Sequence, residues 1–308
     1  MRDDHSTRLA YAAWIAVCLI WGTTYLAIRV ALETIPPALI GALRFIIAGS
    51  LLAAFLRLRG VRLPSRAHWP GLALVGMLLI GVGNGMVVVA EQWVPSGIAA
   101  VVIATTPFWM ATVEALIPGG ERFSRRTLIG MTIGFAGIVL LLWPDLTAGG
   151  SVGRQFLLGL LALQMAEVGW STGTAYSKRH AREENAIAAA ALQMIFGGAA
   201  MLAVAIIRGE WYDLHFTARS VAAELYLIAA GSLVAYPAYI YALKYLPVST
   251  VSLYAYVNPV IAVLLGALLL GEPFGIRIVV ASTLVLLGVS VVRGWMGKRT
   301  AARKAAAA

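Results

Sequence analysis

Trp21-Gly22-Thr23-Thr24-Tyr25, followed by Arg29, recurs in the second half of the chain as Trp170-Ser171-Thr172, followed at the same spacing by Lys178. The same register carries Pro36, Arg44 and Gly49 onto Asn185, Gln193 and Gly198. Farther along, Pro95 and Pro107 repeat as Pro247 and Pro259 with identical separation, and Gly120-Glu121-Arg122-Phe123 repeats as Gly271-Glu272-Pro273-Phe274. Each of these is followed at equal distance by Gly137 or Gly288. An ordered series of this kind over the whole chain is an internal repeat. It assigns residues 1-150 to a first half and 151-308 to a second.

Composition decides what is repeated. Of the 308 residues, 60% are hydrophobic and only 12% are charged, far outside the range of soluble domains. Apolar stretches long enough to cross a bilayer, which takes ~20 residues, fall at 11–32, 36–56, 69–91, 96–117, 126–143, 156–177, 186–207, 220–243, 248–270 and 275–295. The expected fold is an all-α integral membrane protein of ten transmembrane helices, five in each half. The connections are short and leave no room for a soluble catalytic domain. The first stretch is too long for a signal peptide and lacks a cleavage pattern, so it is expected to stay as helix 1.

Lys and Arg set the orientation. With the N-terminus inside, the cytoplasmic face receives Arg2, Arg8, Arg57, Arg59, Arg62, Arg66, Arg122, Arg125, Arg126, Lys178, Arg179, Arg182, Lys244 and the basic C-terminal tail. The outer face receives Arg154, Arg208, Arg219 and Arg277. Both termini are therefore expected in the cytoplasm. Because five is odd, the second half enters the membrane from the opposite side, which makes a 5+5 inverted-topology repeat. Such halves are related by a pseudo-two-fold axis in the membrane plane and exchange conformations, giving inward-open and outward-open states. The net charge of +10 is then a topology signal answering to anionic lipid. No aromatic-interleaved basic face suggests nucleic acid.

A substrate site is expected where the axis crosses the midplane. Counting ~1.5 Å per residue, Trp21 and Trp170 lie halfway along their helices, as do Pro107 and Pro259. Each proline releases the carbonyl four residues earlier, Ile103 or Ala255, and Thr106 and Asn258 bring polar groups to that level. On helix 6, Gln164, Glu167, Trp170, Ser171, Thr174 and Lys178 form one polar stripe at three- and four-residue steps. Glu167 sits near its centre. A carboxylate at such depth faces a wet cavity, pairs with a cation or holds a proton, so Glu167 is the candidate proton-coupling group.

Trp14, Cys18, Trp21, Tyr25 and Arg29 form the matching seam on helix 1. Arg44, two turns inside helix 2, is a second deep charge, and Glu91 near the outer end of helix 3 is a candidate partner for it. Asn84 shares the face of Glu91, among Gly81, Gly83 and Gly85, which allow close approach of a helix or ligand. Tyr236, Pro237 and Tyr239 on helix 8, with Trp109, Tyr254 and Tyr256 on helices 4 and 9, add aromatic surface near the axis. Helices 5 and 10, with Gly130, Gly134 and Gly137 facing Ala281, Ser282 and Gly288, carry no deep ionisable group and are expected to be scaffold.

Ile20-Trp21-Gly22-Thr23-Thr24-Tyr25, Arg44-Phe45, the run Val94-Pro95-Ser96-Gly97-Ile98-Ala99-Ala100, Thr106-Pro107, Gly120-Glu121-Arg122, Tyr256-Val257-Asn258-Pro259 and Gly271-Glu272 together resemble the EamA family of the drug/metabolite transporter (DMT) superfamily, in particular its YedA-like branch. The resemblance covers nearly the whole chain. It implies a ten-helix bundle with a central cavity lined by helices 1, 3, 4, 6, 8 and 9, and export of metabolites such as amino acids or toxic analogues. Carried onto matching positions, it nominates Trp21, Tyr25, Asn84, Trp109, Trp170, Tyr239 and Asn258 as substrate-binding candidates. Pro273 departs from the pattern, standing where a basic residue usually follows the second Glu.

The expected function is that of a secondary transporter, an exporter of small amphiphilic metabolites in the bacterial inner (plasma) membrane, working by alternating access and coupled to protons through Glu167. The alternatives are an uncoupled facilitator or channel-like permease and, more distantly, a membrane-embedded enzyme. The histidines and aspartates fall at termini and in loops, so no deep catalytic dyad is available. No Walker A motif is present, and Cys18 alone makes neither a disulfide nor a metal cluster. No cofactor, metal, nucleic acid or obligate protein partner is expected beyond the small-molecule substrate, the lipid bilayer and protons. Reporter fusions after Arg62, Arg125 and Arg182 should report a cytoplasmic location, and fusions near Asp145 and Asp213 an external one. A cytoplasmic reporter at Asp145 would overturn the inverted repeat.

Overall fold

In an apolar medium the backbone has no water to bond, so each apolar stretch satisfies its own amides as a helix. The computed structural model describes residues 2–117, 125–147, 153–180, 185–251, 254–272, 274–288 and 290–291, and every regular element among them is helical. These elements are α1 (Arg2–Ala31), α2 (Pro37–Leu58), α3 (Arg66–Ala90), α4 (Ser96–Leu116), α5 (Arg125–Thr147), α6 (Arg154–Arg179), α7 (Ala186–Arg208), α8 (Ala218–Tyr245), α9 (Tyr254–Leu270) and α10 (Ile276–Gly288). Glu121, Arg122, Arg182, Pro273 and the basic residues from Arg293 onward lie outside the described residues.

Most of α1 from Ser6, and all of α2, α3, α4, α7 and α8, are long and apolar enough to cross a membrane. At 26 residues α6 has the length, but its polar stripe dilutes the apolar signal. The helix α1 begins well before its apolar stretch, because the polar residues ahead of it are still compatible with a helix extending into water.

Two irregularities matter for the site. The first is a π-helical stretch in α3, Met77–Asn84, matched by another in α8, Leu227–Val234. A π stretch widens the helix locally and frees it to present groups sideways. The second is the interruption of α4 between Ile103 and Thr106. Pro107 has no amide proton to continue the ladder, and the Thr105 and Thr106 hydroxyls donate to the carbonyls of Val102 and Ile103 at 2.7 and 2.6 Å. The Ile103 carbonyl thus finds its partner where the sequence placed one. Pro259, by contrast, lies inside an unbroken α9. Only one of the two prolines interrupts its helix, since no hydroxyl pair stands before Pro259 to support a break.

Close helix packing runs through small residues. A Cβ at Gly49 would lie 2.8 Å from the Ala191 carbonyl oxygen and 2.9 Å from Ile195, and one at Gly198 would lie 2.9 Å from Ile46, so α2 and α7 meet backbone to backbone. Likewise a Cβ at Gly137 would lie 2.8 Å from the Ala281 carbonyl oxygen, and Gly288 abuts Gly130 and Gly134, which joins α5 to α10. The large side chains Leu128, Phe135, Ile276 and Leu287 of this pair point away from the bundle. These are the scaffold helices expected from their lack of deep polarity.

Helix N-termini inside the bundle need acceptors for their free amides. Glu210, in the turn after α7, accepts from Ala38 N and Leu39 N at 2.9 and 3.1 Å. Glu272, after α9, accepts from Ser96 N and Gly97 N at 2.8 and 3.0 Å. Each carboxylate sits at the positive end of a helix dipole, and each ties a helix of the first half to a loop of the second.

Candidate functional site

The polar stripe of α6 turns inward from Gln164 to Thr174, and its last member, Lys178, lies at the exposed end. Gln164 Oε1 accepts from Trp109 Nε1 at 3.1 Å, Glu167 Oε1 lies 2.8 Å from Thr106 Oγ1, and Thr174 Oγ1 lies 2.8 Å from the Tyr239 hydroxyl. Lys178 donates to the carbonyl oxygens of Leu243 and Leu246 at the end of α8. On α1 the corresponding seam includes Arg29, which donates to the Glu91 carbonyl oxygen at the end of α3.

At mid-depth the two seams meet. Trp21 and Trp170 pack edge to face with ring centroids 5.3 Å apart, and Tyr239 and Tyr254 close on Trp21 at 5.1 and 5.2 Å. Aromatic pairs favour such offset and T-shaped contacts. The π stretches of α3 and α8 receive the two indoles. Trp21 Nε1 donates to the Gly231 carbonyl oxygen at 3.3 Å, and Trp170 packs so close to Gly83 that a Cβ there would lie 2.9 Å from its ring. The backbone carbonyl that accepts from Trp21 lies within the π stretch of α8.

Above this ring cluster lies a cavity of ≈ 60 Å³, lined by Trp21, Tyr25, Arg44, Asn84, Glu167, Trp170, Tyr254 and Asn258, with Thr24, Thr106 and smaller apolar residues completing the wall. It has room for a few waters, far less than the ≈ 300 Å³ or more of a cavity enclosing a drug-sized ligand. In this conformation the site is constricted. Arg44 brings a guanidinium to the wall and Glu167 a carboxyl group. Glu167 Oε2 has no hydrogen-bond partner among the described residues. Asn258, with its amide oriented to suit its neighbours, donates to the carbonyls of Cys18 and Tyr254 at 3.0 and 3.1 Å.

On the opposite side of the rings is a second cavity of ≈ 220 Å³, lined by Ala67, His68, Tyr176, Lys178, Ala189, Gln193 and Leu243 among others. This is the end that the Lys/Arg distribution leads one to expect in the cytoplasm. A wider depression of ≈ 710 Å³ on the other face is lined by Arg29, Glu33, Gln92, Trp93 and Glu272, and includes neither Arg44 nor Glu91.

Trp21, Tyr25, Arg44, Asn84, Glu167, Trp170 and Asn258 are thus brought together on one wall. Trp109 and Tyr239 stand just outside it, holding Gln164 and Thr174 in place. Arg44 and Glu91 do not pair. Arg44 is bonded to Ser232 and Asn84, while Glu91 is fully buried with both side-chain oxygens unpartnered, beside Arg29. Ser232, which accepts from Arg44, lies in the π stretch of α8. Sequence reasoning missed Glu224, a buried carboxylate on α8 near Arg44, although an acidic residue inside an apolar stretch was signal enough. It also missed Gly231 and Ser232, for which no sequence signal marks the π stretch.

The sequence profile of the EamA-like transporter family matches residues 8–143 and again 157–294. The chain is 38% identical over 264 residues to the inner membrane transporter YedA of Escherichia coli (strain K12), covering 85% of this chain and 83% of that protein. It is 25% identical over 315 residues to the transporter YvbV of Bacillus subtilis (strain 168), covering 100% of this chain and 97% of that one. It is 27% identical over 299 residues to a chloroplastic WAT1-related protein of Arabidopsis thaliana, covering 95% of this chain and 71% of that one. A crystal structure with 23% sequence identity is similar in fold with a TM-score of 0.67, covering 94% of this chain and 96% of that one.

If the paired indoles are a ligand platform, Trp21→Ala and Trp170→Ala should each weaken binding of a small aromatic ligand by ~0.5 to 1.5 kcal/mol beyond the loss of area. Both variants should insert normally. Flux through the purified protein in liposomes is the measurement, and unchanged flux in both variants would return the two rings to packing alone.

Proposed function

This chain belongs to the EamA-like transporter family and is a membrane transporter of the inner membrane, and on that premise we propose that it is a secondary carrier, an exporter of small amphiphilic metabolites, built from two inverted halves of five helices each. The halves are residues 1-150 and 151-308. The double match of one family profile supports this division. So does the packing: under the repeat register α2 meets its own equivalent α7, α5 meets α10, α4 meets α9 through Gly97 and Val263, and α1 meets α6 through the two indoles. Helices that pack against their own equivalents are what a central two-fold axis produces. The π stretches sit at equivalent places in α3 and α8, and Arg29 and Lys178, which are equivalent, each bond a carbonyl at the end of the third helix of their own half.

The observation that carries alternating access is the unequal state of equivalent positions. Lys178, Ala189 and Gln193 line the open cytoplasmic cavity. Their equivalents in the first half are Arg29, Ile40 and Arg44; Arg44 is as buried as Gln193 and Arg29 lines the outer depression, but Ile40 is fully buried where its equivalent Ala189 is partly exposed. At this level one end is open and its counterpart is packed. Exchanging the conformations of the two halves closes the first and opens the second, which also wets the buried Glu91 and Glu224 carboxylates. A charge kept dry in one state and hydrated in the other is less costly than one buried throughout.

Cysteines introduced in a Cys18→Ser background test the exchange. Ala189→Cys should react with a membrane-impermeant maleimide from the cytoplasmic side and Ile40→Cys from the outside, and conditions that raise one rate should lower the other. An Ile40 cysteine that stays inert while the carrier turns over would sink the mechanism.

Proton coupling through Glu167 is supported by a count of protons. The Thr106 hydroxyl has one proton and two oxygens within reach, Ile103 O at 2.6 Å and Glu167 Oε1 at 2.8 Å. With the carboxyl protonated both contacts are hydrogen bonds; with it ionised one is not. A group whose bonding changes with its proton, placed on the cavity wall, is suited to exchange that proton between two sides. Glu167→Gln keeps the volume and most of the hydrogen bonding. In proteoliposomes it should lose accumulation driven by an imposed pH gradient yet retain exchange of substrate between equally loaded compartments. Gradient-driven accumulation equal to wild type would favour the uncoupled facilitator.

A further inference from the structure

Glu91 is a buried carboxyl that the packing of the bundle leaves unused. It caps the outer end of α3, is fully buried, and has no hydrogen-bond partner at either side-chain oxygen among the described residues. Its neighbours Gln92 and Trp93 line the outer depression together with Arg29 and Glu272. On the inner side, Ala90 and Val94 share an apolar cluster with Tyr25, which α4 and α6 complete with apolar side chains. Tyr25 in turn lines the midplane cavity with Glu167. Glu91 thus stands between the two spaces. Arg29, one turn beyond Tyr25 on α1, donates to the backbone carbonyl of Glu91 and leaves its carboxyl unbonded. The charged groups facing that carboxyl are Arg29 and Glu272, whose oxygens take the Ser96 and Gly97 amides. The Tyr25 hydroxyl lies in the field of both Glu91 and Glu167.

The fold does not demand a carboxyl here. The register that matches the two π stretches places Tyr241 at the equivalent position of α8, where its ring packs against Tyr245 with centroids 4.7 Å apart. A carboxylate without hydrogen bonds in an apolar shell is far costlier than the protonated acid, so Glu91 carries a proton in this conformation. We propose that Glu91 is a second proton-binding site, through which protons from the outer face reach Glu167. Water in the outer depression protonates Glu91. Glu91 then gives its proton to the Tyr25 oxygen as the Tyr25 hydroxyl releases its own to the Glu167 carboxylate. The Glu91 carboxylate left behind takes the Arg29 fork in place of the backbone carbonyl, until the next proton arrives from outside. This site rests on the reading of Glu167 as the coupling group and gives that group its outer path.

The test uses dicyclohexylcarbodiimide, an apolar reagent that adds to protonated carboxyls, with peptide mass mapping in membrane vesicles of fixed orientation whose two sides are buffered independently. In wild type, alkaline buffer on the outer side should abolish the label on Glu91, and alkaline buffer on the cytoplasmic side should leave it unchanged. The label on Glu167 should fall in response to either side. In Glu91→Gln, Glu167 should keep its response to the cytoplasmic side, which shows the variant folded, and lose its response to the outer side. A response of Glu167 to the outer side that survives this substitution would overturn the proposal. So would a wild-type Glu91 label that ignores outer pH or never forms, a measurement that stands even if Glu91→Gln fails to insert. A wild-type Glu167 label that ignores pH on both sides would instead overturn the coupling reading, and the second site with it.

Discussion

The contact on which the rest of the structure depends is the edge-to-face meeting of Trp21 and Trp170 at 5.3 Å. Each indole comes from the first helix of one half and enters the π stretch of the third helix of the other, Trp21 against Gly231 and Trp170 against Gly83. The crossing fixes how deeply the halves interlock. It also determines where the cavity lies, because the rings stand between it and the second cavity lined by Lys178 and Gln193. Association of helices in lipid has little hydrophobic drive, so shape and hydrogen bonding of this kind must supply the specificity.

Polar groups at depth fall into two sorts. Some are fully answered, as where Glu272 takes the Ser96 and Gly97 amides or Thr106 takes the Ile103 carbonyl. Others are left incomplete: Glu167 at one oxygen and Glu91 at both. Since an unpartnered buried group is costly, the incomplete ones mark where water, a proton or a substrate enters during the working cycle. They cluster on the cavity and on the packed outer end. The scaffold pair α5 and α10 shows no such group, apart from the Ser282 hydroxyl.

The inward stripe of α6 was legible residue by residue, because three- and four-residue spacing leaves no choice of face. Placing Glu167 at the centre required only counting. The partner of Arg44 was not legible, since the Ser232 hydroxyl that bonds it lies on a different helix, in a π stretch of α8 that no local propensity announces. The two matched prolines, both read as kink positions, sit differently in their helices. Pro107 interrupts α4 because two threonines stand ready to take the freed carbonyls, whereas Pro259 is carried within α9.

The sequence by itself determined that the chain lies in a membrane, that its two halves repeat, which helix faces turn inward and which charges sit at depth. Those properties follow from composition and from the 3.6-residue period, which are local. Only the tertiary structure decided that the cavity is constricted by four aromatic rings, that Arg44 turns to Ser232 and Asn84 instead of Glu91, and that Ile40 is packed while its equivalent Ala189 lines a cavity. Equivalent sequences in the two halves impose equivalent preferences. How each half packs locally is a property of the whole bundle, because the two halves contact each other along α2 and α7, α5 and α10 and through the two indoles.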